Sequence, residues 1–483
     1  MRRWTVDDLN EAERELVLAV LGGGYLDLTG RTGNPEMPEI RGELIRQMML
    51  DRFGWPGTER ADPRGIRVSG ARLAGGLDLA EVSSSLPLSL IDCHSAEPVR
   101  LRGAKLSTVD LTGLVAPRLI ADEMTVERSL TLRNSVLGGG PFYAVHLGGA
   151  RIGGVLNFSG ARLSASEGPA MQASGLHTGS GVFINRGFHA EGTGEMGVVR
   201  LPGVVVGTML NLAGATIRNP DGPSLVADYL RTGSNAVFYD GFEAEGTVRL
   251  VGAEIGGQLV CDDGRARPSR PGDLALHLSQ VRITGHLLLA VSFPDGPLDV
   301  TGLTYGGRPG NATLTEWLEM LADRTPEYAS QPYFQLAKAH SGAGHERNVK
   351  RIHLARQKDL LRRGDLGLSG RVWHRVAGVT VGYGYRPIVA LLWLTGTLAL
   401  SVLLVLLAGA AGLLGRCPPV EQVGLALNAV TPLVKVDHQR CVIDTSRGPG
   451  QAILAAGWVL QALTWAFLTL FVAGFTGLVR KSS

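Results

Sequence analysis

The segment Gly187-Phe188-His189-Ala190-Glu191-Gly192-Thr193 returns 54 positions on (187 to 241) as Gly241-Phe242-Glu243-Ala244-Glu245-Gly246-Thr247. The same offset joins Leu176-His177-Thr178-Gly179-Ser180 to Leu230-Arg231-Thr232-Gly233-Ser234. It also joins Asn157-Phe158-Ser159-Gly160-Ala161 to Asn211-Leu212-Ala213-Gly214-Ala215. Three matches at one offset impose a repeat architecture, in which no unit buries its apolar face alone and stacking supplies the core. Half the offset is visible too, since Gly140-Pro141 recurs 28 positions on at Gly168-Pro169 and again at Gly222-Pro223.

Inside each unit, short alternating apolar stretches meet at small residues. Examples are Gly70-Ala71-Arg72-Leu73-Ala74-Gly75-Gly76-Leu77 and Gly149-Ala150-Arg151-Ile152-Gly153-Gly154-Val155-Leu156. Period two makes each stretch a strand with one buried face, and glycine at the corners permits the positive φ of a sharp turn. With 66 glycines and only 6% aromatic residues in a chain 45% hydrophobic, the composition suits many short strands between tight turns. Strands of three to five residues and a coil near 27 residues predict a mainly β chain, with a right-handed parallel β-helix over 63–308. A β-sandwich is the rival. A leucine-rich repeat is disfavoured, because neither a fixed Asn ladder nor a helical half-repeat is present.

Residues 1–62 read as a helical N-terminal cap over the open end of the solenoid. Asp8 to Leu21 and Glu39 to Phe53 have helical spacing, with Pro38 just before the second. Residues 309–380 read as a short helical linker with helices at Thr313 to Asp323, Thr325 to Ser341 and His345 to Arg363. Thr325-Pro326 offers an N-cap followed by Pro at the first helical position. The third helix is strongly basic. Either it is drawn to anionic lipid headgroups, at about 1 kcal/mol per nearby cation, or its charges are a solvated face that also sets topology. A nucleic-acid partner is not expected, since the basic run lies beside the membrane and holds few aromatics.

Residues 381–483 read as a two-helix transmembrane hairpin. The uncharged runs Ile388 to Leu414 and Ala452 to Val479 are each long enough to cross a bilayer. Glu11, Glu13 and Glu15 interrupt the stretch where a signal peptide would need its apolar core, so the long soluble part is expected in the cytoplasm. Basic residues crowd the approach to the first span, from Arg347 to Arg386, and only Glu346, Asp359 and Asp365 oppose them. Arg480 and Lys481 follow the second span. The positive-inside rule then puts both termini in the cytoplasm, with the chain in the plasma membrane. Tyr383, Tyr385, Arg386, Arg480 and Lys481 are the expected membrane-interface anchors. Cys417 and Cys441 fall in the outer loop and are a candidate disulfide, while Cys93 and Cys261 are expected as reduced thiols. Ala408 and Gly412, four apart, would permit helix association and hence a homo-oligomer.

Several strings tempt a stronger reading. Thr380-Val381-Gly382-Tyr383-Gly384 matches a potassium-channel filter, but it precedes both spans, where no filter can work. A pore loop would have to lie in Val420 to Asp437, whose stretch Val423 to Leu433 is amphipathic and either rests at the outer surface or dips inward. Gly192-Thr193-Gly194-Glu195-Met196-Gly197 fits a dinucleotide fingerprint, yet a strand-like Val198-Val199-Arg200 follows instead of a helix, so a solenoid turn is expected. Asp262-Asp263 reads as a charged turn. No Cys-x-x-Cys, His-Glu-x-x-His or Gly-x-Ser-x-Gly occurs. No catalytic residue, metal ligand or cofactor is therefore assigned.

Three stretches resemble a known group. They are Val381-Gly382-Tyr383-Gly384-Tyr385-Arg386-Pro387, Asn428-Ala429-Val430-Thr431-Pro432-Leu433-Val434 and Phe471-Val472-Ala473-Gly474-Phe475-Thr476-Gly477-Leu478-Val479-Arg480. Together with the Gly-Ala-x-Leu/Ile-x-Gly rungs, they resemble actinobacterial membrane-anchored proteins with a pentapeptide-like or β-helical cytoplasmic region. That group is often labelled "membrane-associated oxidoreductase". The resemblance implies the fold and the membrane location; its label implies a redox cofactor, for which no residues here provide a motif. Three functions follow as expectations: a membrane-anchored scaffold binding an unknown protein partner, an oxidoreductase, and an ion channel gated by the solenoid.

Overall fold

The structure, a computed structural model, describes residues 4–30, 37–56, 60–365, 367, 370, 387–414, 417–430, 443 and 448–480. The chain forms two compact units, Met1–His353 and Leu354–Ser483. In the first, short strands build four sheets of eleven, ten, nine and nine strands, and each winding gives one strand to each sheet in turn. One winding runs Leu130–Thr131, Val136–Gly140, Val145–His146 and Arg151–Ile152, then returns at Leu156–Asn157 to pair beside its start. Neighbouring strands pair in parallel throughout, as in Leu156 with Val182 and Val182 with Leu210. This is a parallel β-solenoid, and the sandwich rival falls.

The 54-residue offset is two windings. Asn157 pairs with Phe183 and Phe183 with Asn211, so windings of 26 and 28 residues stack in succession. Earlier windings are shorter, with Val99 opposite Leu119, 20 residues on. There the buried residues fall in pairs two apart that recur every five positions: Ala104 and Leu106, Val109 and Leu111, Leu114 and Ala116, Leu119 and Ala121, Met124 and Val126. Five residues make one side and four sides make a winding. Later windings insert extra corner residues, first at Val136–Gly140, where the pairing shifts register between Gly138 and Gly140.

The ladder begins earlier than the sequence reading placed it. β1 (Leu26–Asp27) pairs with Ile66–Ser69, and β2 (Glu39–Arg41) pairs with Arg72–Ala74. Glu39–Arg41, expected as helix, is therefore strand. α1 (Glu11–Leu21) opens on a capping box between Asn10 and Glu13, and α2 (Gly42–Met49) follows β2 directly.

At the other end, α3 (Leu314–Asp323) starts at the expected Thr313 cap. α4 (Gln331–Gly342) starts six residues later than Thr325. The Thr325 hydroxyl instead donates back to the Leu321 carbonyl at 2.7 Å, closing α3. Both helices lie on the last windings, where Gln331 and Gln335 donate to the Leu303 and Tyr305 carbonyls at 3.0 and 2.8 Å. Trp317 and Tyr333 are buried there. α5 (Glu346–Arg363) is the basic helix, and its buried Asp359 pairs with Arg363 at 2.7 Å.

The second unit holds α6 (Pro387–Ala410), α7 (Pro419–Val430) and α8 (Gly448–Arg480). Leu391–Ala410 and Gly448–Val472 are long and apolar enough to cross a membrane. Trp393 stacks on Phe467 at 5.9 Å, and Thr464 donates to Thr397 at 3.3 Å. α6 opens at Pro387 as expected but stops at Ala410, and Gly412 follows with φ +69. Ala408 and Gly412 thus share no helical face. α7 runs from beside Gly409, against the Gln422 side chain, to Ala426, whose carbonyl accepts the Ser401 hydroxyl at 3.1 Å.

Candidate functional site

Parallel pairing without large register shifts stacks equivalent residues in columns about 4.8 Å apart. On the outer face of the ten-stranded sheet one column reads Arg162, His189, Thr216, Glu243, Arg265. The column beside it reads Ser164, Glu191, Arg218, Glu245, Arg267. Acid and base alternate along the second column. The inward residues between them, Leu163, Ala190, Ile217, Ala244 and Ala266, are buried and fix the strands in register. His189 meets Glu191 at 2.8 Å, Arg218 meets Glu191 at 3.6 Å, and Arg265 meets Asp295 at 3.7 Å.

Thr216, Arg218, Glu243, Glu245, Arg265 and Arg267 line a groove of about 270 Å³ on this face. Two carboxylates and three guanidinium groups project from a backbone that cannot move without disturbing its neighbours. Such a surface offers bidentate donors and charged acceptors at fixed spacing.

The outer face of one nine-stranded sheet carries two histidine–carboxylate pairs. His146 lies against Asp122, which Arg102 also approaches at 3.5 Å. Burial, with Arg102 and Arg118 nearby, holds the His146 imidazole below its ordinary pKa, so it is neutral at pH 7. His277 sits 3.4 Å from Asp299, and the Ser279 hydroxyl is 2.6 Å from the same imidazole. The His277 side chain, with the Thr301 amide, draws the Asp299 carboxyl down to about 2 against the opposing effect of burial. Among the described residues, no three of His, Cys, Asp and Glu gather as a set that could hold a metal ion.

The expected site residues fare unevenly. Cys417 is disulfide-bonded, while Cys441 lies outside the described residues, as do Tyr383, Tyr385, Arg386 and Lys481. Arg480 closes α8, and its side chain is likewise outside the described set. The string Thr380 to Gly384 also lies outside it. Cys93 and Cys261 are free and buried, and burial above all pushes the Cys93 thiol up to about 11 and the Cys261 thiol higher still. Gly192 to Gly197 is a turn between two strands, with positive φ at Gly194 and Gly197. Asp262-Asp263 is a turn as expected, and Asp262 accepts from the Asn311 amide at 2.8 Å.

Sequence reasoning missed the charged columns. The signal was present in the repeat itself, since Glu191 and Glu245 occupy the same place in the duplicated segment. Only the winding register sets Arg218 between them. Nor did it isolate the polar residues midway along the spans, Thr397, Ser401, Gln461 and Thr464. No family model, curated protein or solved structure matches the chain.

Proposed function

We propose that the chain is a membrane-anchored scaffold whose solenoid binds a protein partner through the charged columns of the ten-stranded sheet. One observation carries this reading: the fixed groove in which Arg218, Glu245 and Arg267 alternate beside Glu243 and Arg265. A partner strip of alternating acidic and basic side chains would meet it with matched charge, which favours specificity and orientation. In the same reading the solenoid winds right-handed, as parallel crossovers nearly always do, and α1 and α2 cap its first winding. The two spans hold it on the cytoplasmic side of the plasma membrane, and the basic face of α5 meets anionic headgroups.

The test uses the full chain in its native membrane, with a photo-crosslinking residue placed at Thr216 and, as a control, at Arg151 on another sheet. The expected outcome is one captured partner at Thr216, lost when Arg218→Glu and Arg267→Glu are combined, and none at Arg151. Equal capture at both positions, or capture indifferent to the charge reversal, would sink the reading. Flavin or haem absorbance in the purified chain would favour the oxidoreductase instead.

A second reading, an ion-conducting pore, has α7 in its favour. Its 12 residues span about 18 Å, too short to cross a bilayer. Its packing against Ser401, midway along Leu391–Ala410, is that of a helix dipping in between two spans. Single-channel conductance in planar bilayers, changed by Asn428→Leu, would support the pore, and a silent bilayer would count against it.

A further inference from the structure

We propose that the membrane unit binds a bilayer-dissolved amphiphile, an apolar molecule with a hydrogen-bonding ester or amide head, in a pocket between α6, α7 and α8. The pocket has a volume of about 320 Å³, within the size range of small-molecule sites. Leu404, Val405, Leu425 and Leu454 form much of its wall. Into this apolar enclosure each helix contributes one polar side chain: Ser401 from α6, Asn428 from α7 and Gln461 from α8.

Their depth gives these three side chains meaning. Ser401 stands midway along Leu391–Ala410, and Gln461 stands close to the midpoint of Gly448–Val472. A primary amide in hydrocarbon is costly unless it is paired, by roughly 2–7 kcal/mol depending on the reference medium. The Ser401 hydroxyl is already engaged with the Ala426 carbonyl at 3.1 Å. Gln461 has no hydrogen-bond partner among the described residues. Its amide offers both donors and an acceptor, which suits a carbonyl or hydroxyl on a ligand.

The backbone also leaves room. Gly457 lies one helical turn before Gln461 on the same wall, and a Cβ built there meets nothing within 4 Å. Any larger residue at 457 would fill the space. Access at this depth is from the hydrocarbon, so the ligand must partition into the bilayer before it binds. All three walls come from a single chain, so the pocket is complete without a second copy.

The test reconstitutes the full chain in nanodiscs of one phospholipid with a trace of diazirine-bearing monoacylglycerol, followed by photolysis and peptide mapping. The expected result is labelling of the α8 peptide around Gly457 and Gln461 that excess unlabelled monoacylglycerol competes away. Gly457→Leu should reduce it about tenfold by filling the pocket, the equivalent of about 1.4 kcal/mol. Gln461→Leu keeps the span apolar and should also weaken labelling, severalfold. It serves as the readout if Gly457→Leu does not fold, as judged by elution and helicity. Labelling that is spread along both spans, that resists competition, or that both variants leave unchanged would show ordinary acyl-chain contact and overturn the proposal. So would a chain-to-chain crosslink through Gln461, which would make a second copy the occupant. Because the readout is lipid labelling, it is independent of whether Arg218 and Arg267 capture a protein.

Discussion

Glu13 is fully buried beside the first winding, where a bare carboxylate would be expensive. Burial pushes its carboxyl up, but the Arg41 side chain and the Arg41 and Asn10 amides outweigh that and hold it below the ordinary carboxylate range. Arg41 Nε donates at 2.8 Å and the Arg41 backbone N–H at 2.9 Å, while the guanidinium rests 4.1 Å over Trp4. Arg41→Ala leaves the charge without its partner and should destabilise the first unit by about 3 kcal/mol or more. Arg72→Ala, which removes the exposed pair with Glu39, should cost under about 1 kcal/mol. Thermal melts of both variants in detergent check the contrast. Because the folded pKa of Glu13 is depressed, its stabilisation is present at neutral pH and is lost as pH falls through that folded value. None of this was legible from sequence. Glu13 and Arg41 are 28 positions apart, and nothing in either segment marks them as a pair.

At the scale of strands and corners, the glycines divide into two kinds, of which the sequence reading saw one. Gly149, Gly175, Gly203 and Gly252 do take positive φ, between +65 and +68, at sharp corners. Gly153, Gly179, Gly207, Gly233 and Gly256 do not. They form a column in which each Cα lies against the backbone of the winding before it. A Cβ on Gly207 would sit 2.2 Å from the Gly179 carbonyl oxygen, and one on Gly233 would sit 2.1 Å from that of Gly207. Gly207→Ala should therefore force windings apart and cost about 1–3 kcal/mol, as overpacking does. Gly342→Ala, at the open end of α4, meets nothing within 4 Å and should be neutral or stabilising. Chemical unfolding of the two variants separates close approach from mere loss of flexibility. The five-residue rhythm was also on the page, in Ala104, Val109, Leu114, Leu119 and Met124. It was masked because period two was sought within strands and 54 between them, and a four-sided coil lies between those scales.

For the whole molecule, the features set by long uniform patterns were the legible ones. Parallel windings follow from the repeat, and the two helices long enough for a membrane follow from uncharged runs. Features that depend on where one winding meets another were not legible, including the acid–base columns and the start of the ladder at Leu26 rather than Gly65. The mid-span pocket belongs with these, because Ser401, Asn428 and Gln461 come together only when α7 packs beside α6. The central claim is that the two spans anchor the solenoid to the cytoplasmic side of the membrane. Its most direct measurement is the fluorescence of a reporter that folds only in the cytoplasm, fused after Ser483 and followed through washed membranes. Bright, wash-resistant membrane fluorescence is the expected result. A dark fusion, or fluorescence released into the soluble fraction, would contradict the account.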